Sequence, residues 1–323
     1  MKPNKKKKAF LWLVFLVVFF FFCAVLVFNN QIQAPSSEKK SVGFKIKPGE
    51  SLEQVSLDLK EKSLVKNSFF FRLLLVKEGL AGKIQAGDFV LSPDMKALEV
   101  AQKLTAGFSD VQVTIPEGWR NEEIAQELSK NLTIKSSDFA KVAKEGEMFP
   151  DTYRFKFDAT AADVADKMLA NFQNKFDQKL KSDAAGQNLS QEEVLILASI
   201  VERESKFSQD RPIVAGILEK RLKLGMALEV DATLQYALGY SKEEKTWWRK
   251  NLTQDDLNLD SPYNTRKNVG LPPTPICNPG LDSINAVVYP KDKGYLYYVS
   301  DKNGKMYYAA NLDDHIKNIQ KYL

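Results

Sequence analysis

Ser190-Gln191-Glu192-Glu193 opens a run, Val194 to Ser205, that is apolar on every side until Glu202, Arg203 and Glu204 interrupt it. Serine followed three residues later by glutamate is a capping box, so a helix is predicted to start there. A helix apolar all round is a buried one. Leu197, Ile200, Val201 and Glu204 share a face at helical spacing, so the buried stripe ends in a carboxylate. Glu202 lies about 200° away around the axis, at about 100° per residue, and the two acids cannot face one cleft as a cooperating pair. Glu204 is the better candidate for chemistry, because loss of solvation disfavours its charged form and raises its pKa toward neutrality, as a proton donor requires. The plainer alternative is a helix that surfaces with both acids solvated.

Composition narrows the chemistry further. The 323 residues carry 46 Lys and Arg against 41 Asp and Glu, with one His and two Cys. A His-paired nucleophile would have to use His315, and a zinc site of several His or Cys ligands is not available, so neither metal nor cofactor is expected. Removing Lys2, Lys5, Lys6, Lys7 and Lys8 leaves 41 basic residues, equal to the acids. The positive charge therefore belongs to the tail, and nucleic acid is not an expected partner of the body.

Ala9 to Phe28 has twenty residues and no charge, enough to span a hydrocarbon core of about 30 Å. A signal peptide competes with this reading, but its apolar centre is shorter and ends in a small-x-small site, whereas here the span runs into Asn29-Asn30-Gln31. The lysines before the span would hold the N-terminus in the cytoplasm and send the rest outside. There Cys277 would stand alone, so no intrachain disulfide is expected.

The positioning elements come next along the chain. Residues 29–42 are polar and suggest a flexible linker. Val42, Phe44 and Ile46 alternate as a strand, Pro48-Gly49 turns, and Ser51 with Gln54 caps a helix carrying Leu52, Val55 and Leu59. Helices are predicted over Phe69–Glu78 and Lys96–Thr105, with a strand over Gly87–Leu91 between them. A shift of 69 positions places Ile46 on Ile115, Gly49 on Gly118, Glu53 on Glu122 and Leu59 on Leu128. This suggests a repeated strand–turn–helix unit, although many α+β modules begin this way. Pro150 interrupts helix, and helical spacing resumes from Ala161 to about Leu180. Arg221 sits on a helix ending near Gly225, and Asp231 can cap the next, which carries Gln235 and Tyr236. From Ser241 to Gly280 regular signals are few. The prolines of Gly270-Leu271-Pro272-Pro273-Thr274-Pro275 stiffen this stretch, and its Tyr faces and polar amides suit a sugar. Asn303-Gly304 predicts a hairpin between Tyr295–Ser300 and Met306–Ala310. His315, on a final helix, reads as a packing or hydrogen-bonding residue.

Six ordered motifs resemble the MltG (YceG-like) family of endolytic murein transglycosylases from about Phe44 to Leu323. They are Glu145-Gly146 with Phe149-Pro150-Asp151-Thr152-Tyr153; Ala198-Ser199-Ile200-Val201-Glu202-Arg203-Glu204; Arg221-Leu222 with Gly225-Met226; Asp231 with Gln235-Tyr236; Tyr263-Asn264-Thr265; and Gly270-Leu271-Pro272-Pro273. The resemblance implies an α+β protein: a basic tail (1–8), a single transmembrane helix (9–28), a linker (29–42), a LysM-like module (43–108) and a catalytic region (109–323). That region would divide into a connecting subdomain, 109–155, and a catalytic core, 156–323. It implies Glu204 as catalytic acid, with Asn264, Gln235, Tyr263, Asp231, Glu202, Arg221 and Thr265 contacting substrate. The family commonly has Gln-Ser-Asp-Pro-Thr where this chain has Glu229-Val230-Asp231-Ala232-Thr233; Asp231 is kept. The implied substrate is the peptidoglycan glycan strand, and the implied neighbours are cell-wall synthesis or division proteins at the plasma membrane. A lysozyme-like muramidase using Asp231 or Asp151 as second acid, and a noncatalytic glycan-binding scaffold, are the alternatives.

Overall fold

The computed structural model describes residues 5–106, 111–156 and 159–323, with side chains from Trp12 onward. Most of the basic tail thus lies outside the described residues, as does the expected boundary at 108 and 109. The chain forms two compact units, one mainly of residues up to Val111 and the other of most of the chain beyond.

In the first unit, α1 (Lys5–Gln31) contains a stretch, Trp12–Gln31, of mean hydropathy 2.7 and long enough to cross a membrane. The segment after α1 is not the expected flexible linker. Phe28 and Ile32 pack against the unit's core, the Phe28 ring meets Phe70 edge to face at 6.1 Å, and the Ala97 amide donates to Ile32 O. Within 29–42, Ile32 and the backbone bonds of Ile32 O with Ala97 and of the Ser36 amide with Pro93 O tie down a segment whose polar composition had suggested freedom. Beyond it run β1 (Val42–Ile46), α2 (Leu52–Glu61), α3 (Ser68–Lys77), β2 (Gly87–Leu91) and α4 (Ala97–Ala106). Ser51 Oγ accepts from the Gln54 amide and Asn67 from Phe69 and Phe70, so each helix starts where a side chain replaces the missing backbone acceptor. β1 and β2 pair antiparallel with Phe44 opposite Phe89, and both rings are buried with Val55, Leu59, Phe71 and Leu75.

A second β-α-α-β order comes after it: β3 (Val111–Thr114), α5 (Asn121–Asn131), α6 (Ser136–Val142) and β4 (Thr152–Phe155). β3 pairs with β4, and the contacts of Thr114 with Thr152 and of Ile115 with Asp151 set the strands in opposite directions. Gly49 and Gly118, the residues matched by the shift of 69, both turn the chain into the following helix at positive φ, +81° and +77°.

The predicted helix 161–180 is two helices, α7 (Ala161–Lys175) and α8 (Gln178–Gly186), because Asp177 caps a new start by accepting from the Leu180 amide. α9 (Gln191–Glu204) has the expected capping box, with Ser190 and Glu193 satisfying each other's amides. All eight residues from Val194 to Val201 are buried. α10 (Arg211–Lys223), α11 (Asp231–Leu238) and α13 (Leu281–Val288) pack around α9, and a short α12 (Gln254–Leu257) lies between the last two in sequence. Ser199, the one hydroxyl in that run, accepts from the Ile276 amide and donates to Ile196 O, tying the proline-rich segment to α9. Cys277 beside it is a buried free thiol. The hairpin β5 (Tyr297–Ser300) and β6 (Met306–Ala309) closes through Asp301, which accepts from the Asn303 and Lys305 amides. α14 (Leu312–Tyr322) packs on both strands.

Candidate active site

Glu204 is the last residue of α9, where three residues of its face, Leu197, Ile200 and Val201, are wholly buried. Its carboxyl opens into a cleft of about 820 Å³ lined also by Arg221, Asp231, Arg266, Tyr297 and His315. Tyr298 O–H donates to Glu204 Oε2 at 3.0 Å. Burial raises the Glu204 pKa to about 7; the Tyr298 hydroxyl opposes the rise, Asp231 adds to it, and Arg203 and the Ala232 amide oppose it. The carboxyl therefore holds a proton near neutrality and can surrender it to a group in the cleft.

The other expected site residues divide. Asp231 lies in the cleft, half exposed, with Oδ1 2.6 Å from Arg266 Nη2. It is not the cap of α11: Val230 holds that position and Asp231 is the first helical residue. Arg221 also lines the cleft, but it donates to Leu296 O, Ala227 O and Leu228 O and lies 4.9 Å over the Tyr297 ring, holding the loop before α11 and the start of β5 together. Glu202 faces elsewhere, as its angle around the helix required. It accepts from Arg211 at 2.6 Å, Ser283 Oγ at 2.8 Å and the Gly280 amide at 3.0 Å, so it ties α9 to α10 and α13 and has no part in the cleft.

Asn264 and Thr265 are corrected in the same way. Asn264 is wholly buried, donating to Leu257 O and Leu259 O and accepting from the Arg266 amide. Thr265 Oγ1 meets the Val230 amide and Thr233 Oγ1. Both shape the loop that presents Arg266; neither reaches the cleft. Gln235 donates to Arg249 O, and Tyr263 bonds Thr274 Oγ1 and packs against Tyr236. Asp151 supplies no second acid here: it accepts from Asn171.

Sequence reasoning missed Tyr298, Tyr297 and Arg266, and placed His315 only in packing. His315 stacks on Tyr297 at 5.2 Å while lining the cleft. Tyr298 is 94 residues from Glu204, and its signal was only the alternation of a strand in which every other residue must face one side.

A second buried acid sits apart from this cleft. Glu145 accepts from the Asn121 amide, Asn278 Nδ2 and Tyr236 O–H, and burial raises its pKa to about 8. Arg120 is stacked between Tyr236 and Trp247, at 4.2 and 4.7 Å, and pairs with Glu122. These bonds fasten the 120s, 145 and 278 to one another, and Glu145 also lines a separate cavity of about 530 Å³ with Lys144, Glu147 and Gln191.

Fold and cleft together define a mixed α+β protein with one proton-holding carboxyl at the end of its central helix. The chain belongs to the YceG-like family, whose sequence profile matches residues 44–321. It is 30% identical over 316 residues to a protein of Bacillus subtilis named endolytic murein transglycosylase, covering 88% of this chain and 86% of that one. A Streptococcus pneumoniae protein of the same name is 28% identical over 92% of this chain, which spans 61% of the relative's length. Among solved structures, a YceG-like protein from Listeria monocytogenes superposes with a TM-score of 0.59 at 28% identity, covering 87% of this chain and 99% of that one.

Proposed function

We propose that this chain is a membrane-anchored endolytic lytic transglycosylase that cleaves the MurNAc-β-1,4-GlcNAc bond within peptidoglycan strands and ends their elongation. The observation that carries the proposal is Glu204, a carboxyl with a pKa near 7 at the wall of a cleft of about 820 Å³; the relatives' names supply the substrate class. Protonated Glu204 gives its proton to the glycosidic oxygen as the bond to C1 breaks. The muramic 6-hydroxyl then closes on C1, and its proton returns to the Glu204 carboxylate. The products are a free 4-hydroxyl and a 1,6-anhydro end, with no water consumed, and one group serves as acid and then base. The positive amide end of α11, at Ala232, bonds Glu204 and favours the carboxylate left after the proton is given up.

In this proposal α1 is the anchor, with its lysines cytoplasmic and the two units outside. Residues 43–108 act as a LysM-like module that holds glycan in a groove of about 150 Å³ between the β1–α2 and α3–β2 loops. Cell-wall synthesis or division proteins would be the neighbours of such an enzyme.

Hydrolysis is the second reading, favoured by one observation: Asp231 shares the cleft with Glu204 and could activate water, as the paired acids of glycosidases do. Product analysis of strands digested by the detergent-solubilised full chain separates the two, since reducing ends in place of anhydro ends would overturn the transglycosylase. Glu204→Gln is expected to lower cleavage at least about a hundredfold under either chemistry; unchanged cleavage would remove Glu204 as the acid, whereas a parent chain that cuts no glycan would favour a glycan-binding scaffold. Because the first step needs the protonated acid, activity should fall as pH rises through about 7.

A further inference from the structure

Tyr298 is half-buried at the wall of the cleft, where its phenol meets a carboxyl. Burying a hydroxyl is costly unless it finds a partner, and its partner here is Oε2 of Glu204. The hairpin that carries it is fastened to the chain that follows Glu204. Lys206 Nζ donates to Asn303 O in the hairpin turn, and Tyr308, paired across from Tyr298, donates to Asp210 Oδ1 at 2.8 Å. Further along the chain, on α10, Arg221 Nε donates to Leu296 O at 2.8 Å. Three anchors thus fix the height and tilt of β5 over the end of α9.

We infer that Tyr298 is a positioning residue for the reaction: its hydroxyl occupies Oε2 of Glu204 and sets the plane of the carboxyl in the cleft. The inference rests on the function proposed above. A carboxyl free to rotate would spend much of its time out of line with a glycosidic oxygen, whereas one pinned at Oε2 keeps its geometry through both proton transfers. The same hydrogen bond favours the carboxylate, so Tyr298 also restrains the rise that burial imposes on Glu204. The other charges that bear on Glu204 are Asp231 from α11 and Arg203 from α9 itself. Around the cleft stand Arg221, Glu229, Lys250 and Arg266, and on α14 His315, whose pKa is lowered by burial and then by Arg221.

The test uses the detergent-solubilised full chain and two readouts, glycan cleavage against pH and the carboxyl titration of ¹³C-labelled glutamate, with Glu204 assigned by its loss in Glu204→Gln. Tyr298→Phe is expected to lower kcat about tenfold with KM within about twofold. Losing a donor to the charged form raises the pKa, so the alkaline limb and the Glu204 titration should move to higher pH together. Tyr307→Phe, which removes a phenol contact to Asp301 on the same hairpin and outside the cleft, should move neither titration nor limb. Should Tyr298→Phe fail to fold, 3-fluorotyrosine at 298 decides: a stronger donor should lower the Glu204 titration. A folded Tyr298→Phe with parental kcat and parental titration overturns the inference. A parent chain that cuts no glycan overturns the proposed function instead, and the titration still decides the Tyr298 contact.

Discussion

The two β-α-α-β units, residues 42–91 and 111–155, share an order of elements and a positive-φ glycine after the first strand, but they differ in what occupies the mouth between their loops. In the first, the β1–α2 and α3–β2 loops leave a groove lined by Lys47, Gly49, Glu50, Gly82 and Ala86. In the second, the matching loops close on Asn278. The Gly118 amide donates to Asn278 O at 2.9 Å and the Asn278 amide to Trp119 O at 2.8 Å. The Gly146 and Met148 amides donate to Asn278 Oδ1, while Asn278 Nδ2 donates to Trp119 O, Asn121 Oδ1 and Glu145. One scaffold keeps its mouth open to solvent and the other fills it with a carboxamide of its own chain. The second thereby fixes the segment 275–280, which Ser199 and Glu202 hold to α9 from the opposite side.

The comparison can be broken most severely at Asn278. Asn278→Ala strips the Gly146 and Met148 amides and Glu145 of a buried partner at once, and stability measured by chemical denaturation should fall by at least about 3 kcal/mol. A loss below about 1 kcal/mol would mean that the plug holds nothing. Next in size is a matched pair of glycine substitutions. Gly146→Ala puts a Cβ 2.7 Å from Pro275 Cγ as well as straining a φ of +88°, and should cost about 2–3 kcal/mol; Gly49→Ala meets only open space and should cost about 1 kcal/mol from its φ of +81° alone. Equal losses would show that the second mouth is as loosely filled as the first. The smallest effect tests the open mouth itself. Gly82 has free space around it, so Gly82→Trp should fill the groove with stability within about 0.5 kcal/mol of the parent, while retention on insoluble peptidoglycan drops several-fold; unchanged retention would remove the groove from glycan binding.

How far the sequence carried depended on whether a feature was local. The capping box at Ser190, the buried stripe from Leu197 to Val201 and the opposed directions of Glu202 and Glu204 arise from one helix's geometry, and the structure has them all. The 69-residue register also surfaced, because glycine at positive φ leaves a mark in composition. Asn264 and Thr265 misled for the opposite reason. Polar side chains beside tyrosine look like sugar ligands, but the irregular stretch from Ser241 to Gly280 needs internal acceptors and donors for its own backbone, and these residues supply them. Tyr298 could not be found by spacing, since its link to Glu204 exists only through the pairing of β5 and the anchors on α10 and the segment before it. Asp177 and Val230 show the limit at helix ends, where one side-chain hydrogen bond decides between continuing and restarting.

In the anchored arrangement proposed above, the packing of Phe28 and Ile32 into the first unit would have a mechanical meaning. A transmembrane helix that ends in its neighbour's core transmits orientation as well as location, as a mast does and a rope does not. With Phe28 against Phe70 and Ile32 O bonded to Ala97, the first unit has no slack at its base. Its groove would then meet glycan at a set height above the lipid surface, and tilting the helix would turn the groove with it.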